Sequence, residues 1–195
     1  PQFLLILMEI GYVLKQKKLL PNIIPSEILI EKQNLRLRQS QTDNIFSITK
    51  YENKREQFNQ NFKNIFALDL PEVGTFTLNK NSKAIWLRVN SYFVFTKKSY
   101  HDVINAFHDV ASVTNQTGGW SALNLEGKLS ISMLEKLLTL DLDLFTKEKA
   151  VRASINKINC LILCNKQSEV YTIYCPSSFL ESMKTRLTDL VNLVA

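Results

Sequence analysis

The sequence predicts an α+β protein built as two small lobes of mostly antiparallel sheet, each covered by helices. Three observations predict it. Short runs rich in β-branched and aromatic residues alternate with segments of helical period. Two pairs of such runs, within 84–95 and 160–175, flank short polar turns and read as hairpins, the connection of antiparallel neighbours. Single amphipathic helices, the last one ending the chain, separate these hairpins rather than forming a bundle. The chain divides into an N-terminal arm or leader over 1–34, a first lobe over 35–110, and a second lobe with the C-terminal helix over 111–195.

Within 1–34, Pro21 and Pro25 interrupt any helix that "YVLKQKKLL" would form. The apolar run at the start is broken by Glu9 and is shorter than the roughly 20 residues of a membrane span. Its lysines follow the apolar part, whereas a secretory signal places them before it. Three readings stay open for this segment: a start set too early, a fragment, or an arm that packs on something. No membrane insertion is expected.

"NIFSITK" (44–50) has the composition of a short strand. Phe58, Phe62, Ile65 and Phe66 then fall on one face of a helix, which Pro71 and Gly74 close with a turn. "AIWLRVNSYFVF" (84–95) folds back at Asn90-Ser91 as a hairpin. Ser99 with Asp102 forms a short-armed capping box for a helix whose buried stripe is Val103, Phe107 and Val110. "WSALNLEG" is a strand with Leu123 and Leu125 on one face, and Ile131, Leu134 and Leu138 mark the next helix. "DLDLFTKEKAVRASINK" leads through a loop into a strand. "CLILC" and "EVYTIYC" form a hairpin around "NKQS". Ser178 and Glu181 form a capping box for the last helix, with Leu180, Met183, Leu187 and Leu190 on its buried face.

An apolar content of 45% with 22% charged residues is that of a soluble globular protein. Cys160, Cys164 and Cys175 are odd in number and lack a Cys-x-x-Cys pair, which argues against a disulfide framework or a zinc ribbon and suits a reducing, cytoplasmic compartment. The formal charge of +6 is spread from Lys15 to Arg186 with acids interleaved. That describes a solvated surface, so no nucleic-acid partner is expected.

No catalytic, cofactor-binding or metal-binding residue emerges. His101 and His108 stand two helical turns apart, about 10 Å, too far for one ion. Cys160 and Cys164 point the same way along a strand at about 13 Å and read as buried thiols, with Cys175 on the partner strand. Asp141, Asp143 and Glu148 read as solvated acids after a helix rather than cation ligands. No nucleophile elbow, phosphate loop or dinucleotide fingerprint occurs.

The least ordinary stretch is "SVTNQTGGWSALNLEG" (112–127), which holds Gly118, Gly119 and Gly127 of the five glycines and Trp120, one of two tryptophans. Paired glycines allow positive φ or close backbone approach, and the indole brings an N–H to satisfy. Two readings stand: a tight turn whose tryptophan fills the core, or a contact surface for another chain. The candidate partner interface is Asn115, Gln116, Thr117, Gly118, Gly119 and Trp120.

The ordered set "VTNQTGGWSALNLEG", "LLTLDLDLF", "KAVRASINKINCLILC" and "YTIYCPSSFLESM" resembles the gamma subunit of heterotetrameric sarcosine oxidase. The upstream segments "LRLRQ", "IFALDLPEVGTFTLN" and "AIWLRVNSYFVF" match more loosely, and the whole covers Leu35 to Val194. The chain departs from that family's pattern at Asn115, at Asn90-Ser91-Tyr92 and at Ser177. The resemblance implies an aminomethyltransferase-like, folate-binding-domain fold. It implies a non-catalytic chain that docks on the alpha subunit, within a complex that also holds beta and delta subunits. That complex oxidatively demethylates sarcosine to glycine, with hydrogen peroxide and formaldehyde or methylene-tetrahydrofolate. FAD, FMN, NAD, tetrahydrofolate and zinc are implied for the other subunits and none for this chain. The alternative is a stand-alone folate- or one-carbon-binding module of the same fold.

Overall fold

In the computed structural model, residues 26–142, 144–165 and 169–194 are described. Most of the N-terminal arm, Asp143, the "NKQS" turn after Asn165, and Ala195 lie outside them. Eleven strands run in the order β1 (Glu27–Lys32), β2 (Leu35–Ser40), β3 (Asn44–Lys50), β4 (Phe76–Leu78), β5 (Ser82–Arg88), β6 (Ser91–Thr96), β7 (Ala111–Asn115), β8 (Trp120–Glu126), β9 (Ala150–Ile155), β10 (Ile158–Cys164) and β11 (Val170–Pro176). Helix α1 (Arg55–Phe66) follows β3, α2 (Tyr100–Phe107) follows β6, α3 (Ser130–Leu137) follows β8, and α4 (Leu180–Val194) follows β11.

The strands form two antiparallel sheets. One has six strands in the order β1-β2-β8-β11-β10-β9; the other has five in the order β4-β5-β6-β3-β7. The α+β class and the antiparallel sheets expected from the sequence are those observed. The sheets do not split at residue 110, however. β1 and β2 join the six-stranded sheet through β8, with Leu37 opposite Leu125, while β7 pairs back to β3, with Ile48 opposite Val113.

Side-chain alternation along each strand then builds three cores. Leu123 and Leu125 of β8 face α3 and α4, against Met133, Leu134, Met183 and Leu187. Phe46 and Ile48 of β3 face α1 and α2, against Phe58, Phe62, Phe66 and Phe107. The opposite faces of the two sheets meet in a seam made by Ile45, Ile85, Phe93, Phe95, Leu161, Leu163 and Tyr174. The layers therefore run helix, sheet, sheet, helix. This arrangement explains β6, "SYFVFT", which is buried at every position: Tyr92 and Val94 enter the helix-covered core and Phe93 and Phe95 enter the seam. Phe95 lies 4.6 Å from Tyr174, ring centre to ring centre, and Phe93 lies 5.4 Å from Trp120, so aromatic contacts stitch the sheets together.

The turns follow local chemistry. Asn90, at φ 61°, closes the β5–β6 hairpin where the sequence placed it. Asn156 and Lys157, both at positive φ, close a two-residue turn between β9 and β10 that glycine counting misses. At Gly127 a Cβ would stand 2.3 Å from the Asn34 carbonyl oxygen, because β8 ends against the β1–β2 turn. The Ser99–Asp102 capping box is present, the Ser99 hydroxyl accepting from the Asp102 N–H at 3.2 Å. The box expected at Ser178 gives way to a 3-10 turn over Ser177–Phe179 that runs directly into α4. There Glu181 accepts from Lys184 Nζ at 3.1 Å instead of reaching back to the cap.

Candidate partner interface

The stretch at 115–120 crosses from the edge of one sheet to the interior of the other, since β7 is the last strand of the five-stranded sheet and β8 lies between β2 and β11. Such a crossing needs a sharp, fixed corner. The Asn115 side-chain oxygen accepts from the Thr117 N–H at 2.9 Å, and the Gly119 N–H donates to the Gln116 carbonyl at 2.9 Å. Gly118 takes φ 81°, a conformation that side chains with a Cβ rarely adopt. A Cβ on Gly119 would approach the Gln116 carbonyl to 3.2 Å. These two positions answer why glycine is concentrated here.

The corner is also tied on both sides. The Gln116 N–H donates to the Ile45 carbonyl at 2.8 Å, and the Thr117 hydroxyl accepts the Ile45 N–H at 3.0 Å. On the other flank the Ser177 N–H donates to the Gly119 carbonyl at 3.0 Å, and the Ser121 and Ser177 hydroxyls lie 2.9 Å apart. Asn115, Gly118 and Gly119 are exposed, whereas Gln116, Thr117 and Trp120 are half-buried. Trp120 thus divides its surface. Its ring packs edge-on against Phe93 in the seam, and the rest borders an open trough of about 520 Å³ lined also by Arg152, Ser154, Asn159, Cys160 and Pro176.

Arg152, Ser154 and Asn159 were not singled out from the sequence. The pairing Ser154 opposite Asn159 and Pro176 opposite Trp120 brings them together, and that pairing is set across two hairpins. The alternating Arg-x-Ser of a strand was the available signal. The trough's lining holds one cation, Arg152, beside neutral polar and apolar groups.

The remaining reactive groups are disposed as follows. Cys160, Cys164 and Cys175 are free and buried. Burial pushes the Cys160 thiol up to about 12, with the neighbouring Cys175 adding to it, and pushes Cys175 up to about 11. Burial raises Cys164 as well. These thiols stay protonated near neutral pH and are poor nucleophiles there. His101 and His108 are exposed, and His108 Nδ1 lies 2.7 Å from Asp109 Oδ1. Asp141 and Glu148 both have interaction partners. Among the described residues no three of His, Cys, Asp and Glu gather closely enough to hold a metal, and no helix is long and apolar enough to cross a membrane.

On β2 and β8, Arg38 Nη2 meets Glu126 Oε1 at 2.8 Å, and Arg36 pairs with Glu31, so charge is compensated within the sheet. In a smaller pocket, of about 160 Å³, Lys83 Nζ donates to the Tyr174 hydroxyl at 3.2 Å.

No protein-family model and no curated protein matches the chain. Solved structures do match, and they define an aminomethyltransferase-like α+β architecture. A chain of heterotetrameric sarcosine oxidase from Corynebacterium sp. U-96, solved in complex with pyrrole 2-carboxylate, superposes with a TM-score of 0.74 at 17% identity, over 86% of this chain and 88% of that one. Glycine cleavage system aminomethyltransferase T from Bartonella henselae superposes with a TM-score of 0.52 at 12% identity, over 74% of this chain and 42% of that enzyme. This protein shares their fold, as the sequence resemblance implied.

Proposed function

We propose that this chain is a non-catalytic, gamma-type subunit of a cytoplasmic heterotetrameric sarcosine oxidase, docking on the alpha subunit beside the beta and delta chains. FAD, FMN, NAD, tetrahydrofolate and zinc belong, on this reading, to those other subunits. The observation that carries it is the reciprocal match: the fold agrees over 86% of this chain and 88% of a chain from such a complex.

The test is assembly. Co-expressed with the flavoprotein subunits, the chain is expected to co-purify in a fixed ratio, and alone to show no flavin absorbance and no sarcosine turnover. Trp120→Ala, which removes both seam and trough contacts, is expected to lower the melting temperature and weaken co-purification. Trp120→Phe keeps a ring on Phe93, so it should hold the melting temperature while still weakening assembly. Unchanged co-purification by both variants removes the interface from this corner. Saturable tetrahydrofolate binding by the isolated chain at micromolar levels would move the assignment to a stand-alone one-carbon module.

A further inference from the structure

β9 is the outermost strand of the six-stranded sheet, with β10 on one side only. Its first residues are engaged: the Ala150 N–H points outward and donates to the Gly74 carbonyl at 2.8 Å, while the Lys149 carbonyl accepts inward from Cys164. Alternation from that point turns the N–H and C=O groups of Arg152 and Ser154 outward, away from β10. Their side chains lie on the trough face, with Asn159 and Trp120.

An unpaired row of backbone groups is a template for another strand unless it is blunted. The other edges are less open. β1 carries a bulge between Ile28 and Ile30 and the charges of Glu27, Glu31 and Lys32. β4 is three residues long. β9 combines an outward backbone row with the adjoining trough of about 520 Å³, whereas the three-residue β4 borders a smaller pocket through Leu78.

The electrostatics specify the occupant. Across β9 and its immediate flanks, from 149 to 157, the sequence contains Lys149, Arg152 and Lys157 and no acidic residue. Arg152 is exposed and has no carboxylate partner among the described residues. A second copy of this chain is disfavoured, because antiparallel pairing of β9 with itself brings two Arg152 side chains close to each other.

We propose that the β9 edge binds, by strand addition, an extended acidic segment of a partner protein, with a carboxylate seated beside Arg152 and the partner's flanking residues filling the trough toward Trp120. This deepens the accessory-subunit reading and rests on it only for the partner being a protein chain.

The full-length, ¹⁵N-labelled protein is titrated with the blocked pentapeptide acetyl-Thr-Val-Glu-Val-Thr-amide and with its lysine-for-glutamate counterpart. The expected result is saturable amide shifts and slowed exchange at Arg152 and Ser154, at roughly millimolar peptide. The lysine peptide should bind about five- to tenfold more weakly, and Arg152→Glu should reverse that preference. Ser154→Pro removes an outward N–H without touching the β10 ladder and should abolish binding of both peptides. If that variant fails to fold, the Arg152→Glu reversal still decides. Absent protection at Arg152 and Ser154, protection at another edge, or equal binding of the two peptides overturns the proposal. Failure here with intact co-purification leaves the accessory role standing; peptide binding without co-purification does the reverse.

Discussion

The two helix-covered cores use different chemistry for the same task. Under α1 and α2 the core is a cluster of rings: Phe58 lies 5.3 Å from Phe107, Phe62 lies 5.0 Å from Phe66, and Phe62 lies 6.0 Å from Tyr92. Under α3 and α4 it is mainly aliphatic and sulfur-bearing, with leucines, isoleucines, Met133, Met183 and three thiols drawn from several strands and both helices. A few large rings concentrate burial in few residues, while an aliphatic core distributes it. The ring-built lobe holds the corner through Ile45, and the distributed lobe carries the trough and the β9 edge. A ring-built core thus stands behind one flank of the candidate interface and a mainly aliphatic core behind the other.

The largest test of that contrast is Phe62→Ala. Phe62 is fully buried and touches four other rings, so the substitution is expected to cost about 3–5 kcal/mol. Ile162→Val in the opposite core should cost about 0.5–1.5 kcal/mol. Chemical denaturation of both variants measures the difference. A Phe62→Ala cost no larger than that of Ile162→Val would end the idea that burial is concentrated in the rings.

The thiols sharpen the contrast by pH. Cys160 and Cys175 have folded-state values raised to about 12 and about 11, whereas an unfolded thiol titrates near ~8.5. Above that value the unfolded chain loses protons that the folded chain retains, so stability falls as pH rises. The contribution is fully present below the unfolded value and is lost until Cys175 and then Cys160 ionise in the folded state. Each thiol contributes a slope of at most about 1.4 kcal/mol per pH unit in that window. Burial also raises Tyr92 in the ring core, which extends the alkaline loss. Thermal unfolding followed from pH 9 upward should show the decline, and a Cys160→Ala, Cys175→Ala variant should start less stable but decline less steeply. An unchanged slope in that variant would assign the alkaline loss to other groups.

Much of this structure was legible from local pattern. The phenylalanine stripe of α1, the Asn90 hairpin and the C-terminal helix follow from side-chain periodicity and turn chemistry within a few residues. Sheet membership was not legible in that way. Nothing local in "LRLRQS" says that β2 pairs with β8 rather than β3, because that choice is fixed by contacts some 85 residues apart in sequence, such as the Arg38–Glu126 pair separated by 88. The β9–β10 turn escaped because Asn156 and Lys157 take positive φ without glycine. For the candidate interface, the glycine pair and Trp120 drew attention to the corner. Arg152, Ser154 and Asn159 joined it only once the hairpin registers were known.

The smallest effect concerns the contrast between helix starts. α2 begins with a reciprocal cap, in which the Ser99 hydroxyl accepts the Asp102 N–H and the Asp102 carboxylate accepts the Ser99 N–H at 3.2 Å. The Ser99 hydroxyl, which also donates to the Asp102 carboxylate at 2.8 Å, and then the Ser99 N–H hold that carboxyl below its ordinary range. α4 instead emerges from a 3-10 turn at Ser177–Phe179. Ser99→Ala is therefore expected to cost about 1 kcal/mol, while Ser178→Ala, within a 3-10 turn that has no side-chain cap hydrogen bond, should fall within about 0.5 kcal/mol of the parent. The Ser99 effect should also shrink in acid. A depressed carboxylate stabilises the fold above its unfolded value and loses that contribution as pH falls through its folded one. Equal costs for the two serine substitutions near neutral pH would show that the start of α2 is held by Val103 and Phe107 packing under the sheet rather than by its cap.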